Sequence, residues 1–305
     1  MIAAMSSADL GAKSNWGRWS DADEIGALNL ITGERVVEAA GAVASGQVVS
    51  LAREIRHDVA RTAERNGPTL ILTTDGGDYA AGAAGAGGAY FADDFIAMPV
   101  ATGTHIDSLA HAWSERGLYN GHDPNQVRSR GAKRCGIGKV EGIVTAGVLA
   151  DVCALNGVDR LPPSYAISAD ELERATAGKG NEVGPGDALL IRTGWLSPAS
   201  LAERSAAELE ASEPGIGMDA AEWIAERDVA VVGADNIGVE VFPPEDPEVR
   251  APIHVWLISG LGVHLIELLD LERLAELDPG RFLFVAAPLR LRGAVNSPLN
   301  PLAIL

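Results

Sequence analysis

The feature that most constrains the fold is an alternation of short β-branched runs with helix-starting signatures. Residues 48–51, 68–74, 142–152, 186–193, 229–235 and 263–268 are rich in Val, Ile and Leu and bounded by turn formers, the pattern of strands. Residues 282–288 read as the last buried strand. Between the runs, Thr32 is placed to N-cap a helix from Gly33 to about Ser45, ended by Gly46. Ser168 followed by Glu171 makes a capping box, and residues 219–226 and 253–259 carry helical patterns. Strands interspersed with helices predict an α/β layer architecture.

A chain of 305 residues can bury a large core and lies near the size at which single cores divide. One domain over residues 1–305 is expected, with residues 1–50 as an N-terminal helical extension packed on it. The formal net charge of −18 repels phosphate backbones and anionic lipid, which makes nucleic acid and membrane surfaces poor partners. A small-molecule substrate is expected, though acidity alone does not identify it. Cys135 and Cys153 are the only cysteines and lack metal-site spacing, so they read as buried thiols in a reducing compartment. Residues 1–13 show no basic-then-apolar leader, and no apolar run reaches spanning length; a cytoplasmic protein is expected. Residues 76–88 are dominated by Gly and Ala, a loop over a pocket or a surface excursion. Their glycine spacing resembles a phosphate loop without its Lys-Ser/Thr ending, a weak nucleotide signal.

The chemistry concentrates around residue 105. His105 and Asp107 lie two apart, so in an extended segment both project from one face, and imidazole with carboxylate suits zinc, manganese or iron. Three further candidates stand at other positions. His111 follows four residues later, placed to move protons beside such an ion if a helix begins after Asp107. His254 interrupts an apolar helical stretch, and Glu267 interrupts a run of Leu and Ile; a buried carboxylate is costly unless paired or metal-bound. His264 falls on the strand face opposite Glu267 and is expected toward solvent or a neighbouring element, while His57 and His122 are read as non-ligands. No Gly-x-Ser-x-Gly elbow is present.

With these residues in view, the chain resembles the cyclase / kynurenine formamidase-like family of metal-dependent hydrolases, whose hallmark reads His-x-Gly-Thr-His-x-Asp-x-x-x-His. The matching stretch is Ala101-Thr102-Gly103-Thr104-His105-Ile106-Asp107-Ser108-Leu109-Ala110-His111. Supporting segments include Asn15-Trp16-Gly17-Arg18-Trp19, Leu118-Tyr119-Asn120-Gly121-His122 and Gly233-Ala234-Asp235-Asn236. The resemblance implies a swivelling β/β/α fold with a mixed central sheet flanked by helices, assembled as a homodimer or homotetramer. It implies His105, Asp107, His254 and Glu267 as ligands of one or two zinc or manganese ions, and His111 as the acid–base residue. The activity implied is hydrolysis of an amide, formamide or lactam. Thr104 would then orient a carboxylate or water, and Trp113 would pack on a planar substrate. A lactonase or dehydratase/cyclase would use the same parts, and a catalytically silent binding protein would share the fold. One departure is visible: Ala101 stands where the hallmark has its first His, and a methyl group cannot coordinate. Either the other four residues hold one ion, another group or water fills the gap, or binding is lost.

Overall fold

The computed structural model describes residues 13–56, 67–82, 86–178, 180 and 182–305. His57 and most of the segment read for a leader lie outside the described residues. The core is a mixed sheet of nine strands: β1 (Val48–Ser50), β2 (His105–Asp107), β3 (Ile143–Asp151), β4 (Ala188–Arg192), β5 (Val231–Ala234), β6 (His264–Glu267), β7 (Phe282–Ala286), β8 (Asn296–Pro298) and β9 (Leu302–Ile304). Their spatial order is β1-β9-β7-β3-β4-β5-β6-β2-β8. The central run β3-β4-β5-β6 is parallel, and every pairing outside it is antiparallel. Parallel strands need both faces covered, which explains why β4 and β5 are almost wholly buried aliphatic runs and why β6 is buried throughout even though His264 and Glu267 bound it.

Helices flank this sheet. Helix α1 (Gly33–Ala40) packs on β3 and β7, and α2 (Ala169–Ala175) packs on β3 and on α3 (Met218–Glu226). Thr32 caps α1 by accepting the Arg35 amide, and Ser168 with Glu171 closes the capping box of α2, both as the sequence indicates. The first helix is shorter than expected: it stops at Ala40, with Gly41 as its cap, whose amide bonds Val37 O and Glu38 O. Residues 282–288 are also not the last strand. β8 and β9 follow, three residues each, too short to show any periodicity and made strands only by their partners.

The region expected as a helix over 253–259 begins at Pro252. Helix α4 (Pro252–Val255) runs directly into a π-helical segment, Trp256–Leu261. Its free carbonyls are met by the N-terminal stretch: Trp16 Nε1 donates to Ser259 O at 2.6 Å and Asn15 Nδ2 to Leu261 O at 2.9 Å. Gly262 ends the segment in the left-handed region, φ 71°. A Cβ on Gly26 would lie 2.3 Å from Gly262 O, so this crossing of two backbones requires glycine. From Gly262 the chain enters β6, so the π segment sets where that strand begins. No described helix is long and apolar enough to cross a membrane.

Candidate metal centre

Strand register assembles the site. His105 and Asp107 share one face of β2, as the two-residue spacing requires. Glu267 of β6 lies directly opposite His105, and Asn296 of β8 lies directly opposite Asp107. Directly opposed residues share a face, so four polar side chains from three adjacent strands converge. His254 reaches in from α4 and His111 from the turn after β2; no helix starts there, and the His111 amide simply bonds Ser108 O at 2.9 Å. His105 Nε2 lies 3.1 Å from Glu267 Oε2 and 3.7 Å from Asp107 Oδ1. His254 Nε2 lies 3.4 Å and His111 Nε2 3.8 Å from Asp107 Oδ2. Two overlapping groups, His105–Asp107–Glu267 and Asp107–His111–His254, thus have ligand atoms close enough to share an ion, and Asp107 belongs to both.

These donors fit a metal on structural grounds. His105 Nε2 and Asp107 Oδ2 are buried and make no hydrogen bond among the described residues, an expensive arrangement unless a cation lies between them. His105 Nδ1 is 2.9 Å from Gly103 O, which fixes its proton there and leaves the Nε2 lone pair facing Glu267 and Asp107. The field also asks for positive charge. Burial alone would push His254 down, yet Asp107 and Glu267 raise it to about 9. Asp107 is fully buried; against that burial, His111, His254 and His105 hold its carboxyl well below the usual range.

Asn296 was not legible as a site residue in the sequence. Its amide nitrogen hydrogen-bonds both Asp107 Oδ1 and His111 Nδ1, the latter at 3.1 Å. A carboxylate only accepts, so the –NH₂ end must face Asp107 and must also donate to His111 Nδ1. Neutral His111 therefore carries its proton on Nε2. Glu240 was missed as well. It accepts the amides of His254 at 2.7 Å and Ile253 at 3.3 Å, anchoring the start of α4, and burial raises its carboxyl to about 7. Val239 beside it is held at φ 64°, which is costly for a β-branched residue; its amide bonds Asn236 Oδ1 and its carbonyl accepts from Ile216. Neither position carries a sequence signal, because their meaning depends on which backbone amides the fold brings near.

Other expected residues fall elsewhere. Thr104 is buried with its hydroxyl committed to backbone, donating to Leu268 O and accepting from Arg53 N, so it ties β2 to the end of β6. Trp113 is 42% exposed and does not line the cavity at the site. His264 does not face solvent: it is 1% exposed, because β6 is covered on both faces. His122 lies 3.3 Å from Asp23 O, away from the cluster. Ala101 is buried in the turn before β2 and offers no donor. A cavity of about 600 Å³ opens over His111 and His254. Its walls include Ala112, Ile237, Phe242 and Val255, with Glu210 and Arg250 among its polar lining residues.

Known proteins share this fold. The model of the cyclase family matches residues 29–241. A crystal structure described as a novel cyclase superposes with a TM-score of 0.88 at 36% identity, covering 99% of this chain and 100% of that one. An isatin hydrolase of Roseibium aggregatum is 25% identical over 71% of this chain and 76% of its own. A structure described as a predicted metal-dependent hydrolase from Bacillus stearothermophilus is 25% identical, with a TM-score of 0.54 over 85% of this chain and 98% of that one. Cyclase-like proteins 2 and 3 of Oryza sativa are 24% and 26% identical over 68% of this chain, and the match spans only 64% and 63% of their lengths.

Proposed function

The chain belongs to the cyclase family, and from that premise we propose that it is a metal-dependent hydrolase opening a carbonyl C–N bond in an amide, formamide or lactam. The observation that carries this reading is the pair of buried, unsatisfied ligand atoms, His105 Nε2 and Asp107 Oδ2, at the meeting point of two donor groups. His105, Asp107, His254 and Glu267 would hold a divalent ion, zinc or manganese; without His111 the second group keeps only Asp107 and His254, which favours one ion over two. A bound ion would supply Lewis acidity, lowering the pKa of water and polarising a carbonyl.

The chain's own residues do the rest. His111 is left out of the ligand set because Asn296 fills its Nδ1, which puts the exchangeable proton on Nε2. Nε2–H faces the site while the side chain is 28% exposed. With Nδ1 held by an amide donor, loss of that proton would leave an imidazolate. His111 therefore serves there as a hydrogen-bond donor to the leaving nitrogen or the developing oxyanion, and the proton that the leaving nitrogen needs comes from the attacking water. Asn296 holds this orientation and simultaneously fixes Asp107. The cavity over the site combines apolar walls, Ala112, Ile237, Phe242 and Val255, with charged groups, Glu210 and Arg250, and so suits a small substrate with both an apolar body and polar substituents.

The test combines metal analysis with a variant series. Protein purified with zinc or manganese should carry about one or two ions per chain and hydrolyse some member of a panel of N-formyl aromatic amines, isatin-like lactams and lactones. Asn296→Ala should keep its metal but lose roughly 10- to 100-fold in kcat, with a smaller change in KM and an altered pH profile. Absence of bound metal after supplementation, or an unchanged rate in both His111→Ala and Asn296→Ala, would overturn the reading.

A further inference from the structure

Positive charge is scarce in this chain, yet it is gathered in one place. A cleft of about 770 Å³ is lined by Arg128, Arg130, Lys133, Lys139, Arg290 and Arg292 and by no acidic residue. It shares no lining residue with the cavity over His111 and His254. With 42 Asp and Glu against 24 Lys and Arg, a cation here has carboxylates in excess to pair with. Arg18, Arg134, Arg160, Arg192 and Arg281 each do so. In the cleft only Lys139 does, through Glu24, and that carboxylate is already shared with Arg134 and the Cys135 amide. Arg128 bonds the neutral Asn125 Oδ1 at 2.7 Å. Arg130, Lys133, Arg290 and Arg292 have no carboxylate in ion-pair range among the described residues. Like charges crowded in this way repel one another, and the fold supplies them no counter-ion.

The backbone under these side chains is fixed. Two segments far apart in sequence meet there: Ala132 N donates to Gly293 O at 2.8 Å and Ile137 N to Ala294 O at 2.9 Å. A Cβ on Gly131, at φ 105°, would lie 2.7 Å from Gly293 O, so the close approach of the two backbones requires glycine. Arg130 and Lys133 stand on one segment and Arg290 and Arg292 on the other, their spacing set by this junction. The rest of the lining is Gly, Ala and Ser. It offers no aromatic face on which a base could stack and no large apolar side chain. Such walls recognise a ligand through its charges, and the Arg fork matches phosphate oxygens two at a time.

We propose that this cleft is a binding site for a small phosphorylated metabolite with two phosphate groups on a polar body, of the sugar bisphosphate class. Arg130 and Lys133 engage one phosphate, and Arg290 and Arg292 engage the other. The net charge of −18 does not prevent this, because at physiological salt the screening length is about 8 Å and the local cluster governs what binds.

Isothermal titration calorimetry of the metal-loaded chain tests this independently of catalysis. Fructose-1,6-bisphosphate should bind with a dissociation constant of about 100 μM or tighter at physiological salt, and more weakly as salt is raised. Glucose-6-phosphate, with one phosphate, should bind at least about tenfold more weakly. R290E/R292E and R130E/K133E should each weaken the bisphosphate at least about tenfold. All four positions are exposed, so an unchanged thermal midpoint serves as the folding control for either variant. Asp107→Asn should bind the bisphosphate as wild type does, since the metal centre takes no part. Absence of binding at millimolar ligand overturns the proposal, as does equal affinity for the monophosphate. Indifference to both charge reversals, or loss of binding in Asp107→Asn, overturns it as well.

Discussion

His264 is the electrostatic opposite of the ligands it adjoins. It shares β6 with Glu267 but lies on the other face, and both ring nitrogens lack a hydrogen-bond partner among the described residues. Burial pushes its pKa down to about 4, so the folded protein holds it neutral. Unfolding restores an ordinary imidazole near 6.5, which takes up a proton between pH 6.5 and 4. The depressed value means that this group's contribution to stability is complete above pH 6.5 and is lost as pH falls toward 4, by about 3 kcal/mol. His264→Leu removes the liability without opening a large cavity. At pH 7 the variant should be as stable as wild type or slightly more so, since an unsatisfied polar group is replaced by an apolar one. Its advantage should grow by about 3 kcal/mol on acidification. Urea unfolding of both proteins at pH 7 and pH 4.5 measures this, and a gap independent of pH would show that the ring is not held neutral.

At the scale of elements, the segment from α4 through the π turn to β6 carries two of the proposed ligands, His254 and Glu267, and its register depends on the Gly26–Gly262 crossing. A methyl group on Gly262 would meet the Tyr119 ring at 2.6 Å and Gly26 Cα at 2.7 Å, at a φ of 71° that disfavours any side chain. Gly262→Ala should therefore cost about 2–4 kcal/mol in denaturant unfolding and weaken metal retention, because displacement there moves the start of β6. Loss of less than 1 kcal/mol, with metal retained, would show that the crossing relaxes easily. The same segment shows what the sequence discloses. His254 and Glu267 stand out because each interrupts an apolar run, and His105 with Asp107 stands out by spacing. Thr32 and Ser168 announce their helices through local capping chemistry. The π turn, by contrast, is stabilised by Trp16 and Asn15 from the other end of the chain. Asn296 matters only because β8 pairs with β2 opposite Asp107, and a three-residue strand carries no periodicity of its own.

For the molecule as a whole, the proposed ligand set joins β2 to a segment far along the chain, so a bound ion would act as a cross-link within the native state alone. At free metal a thousandfold above the dissociation constant, such binding adds about 4 kcal/mol. Chelation should lower the thermal midpoint by roughly 5–10 °C, and either zinc or manganese should restore it. An Asp107→Asn protein should melt at one temperature with or without chelator. Equal midpoints for the wild type with and without chelator would remove the metal from the stability of the fold.

The position of β2 between β6 and β8 also has a consequence for how the protein is made. Asp107 and Asn296 are 189 residues apart in the chain, and ribosomes add about 5–20 residues per second. For roughly 10–40 s, then, the strand bearing His105 and Asp107 has emerged without its full set of neighbours: β8 is missing throughout, and β6 for all but the last part of the interval. Its two ligands are solvated and unsupported through that interval, and the long-range pairing that follows is intrinsically slow. With the proposed ligand set, metal capture would belong to the completed polypeptide rather than to the growing one.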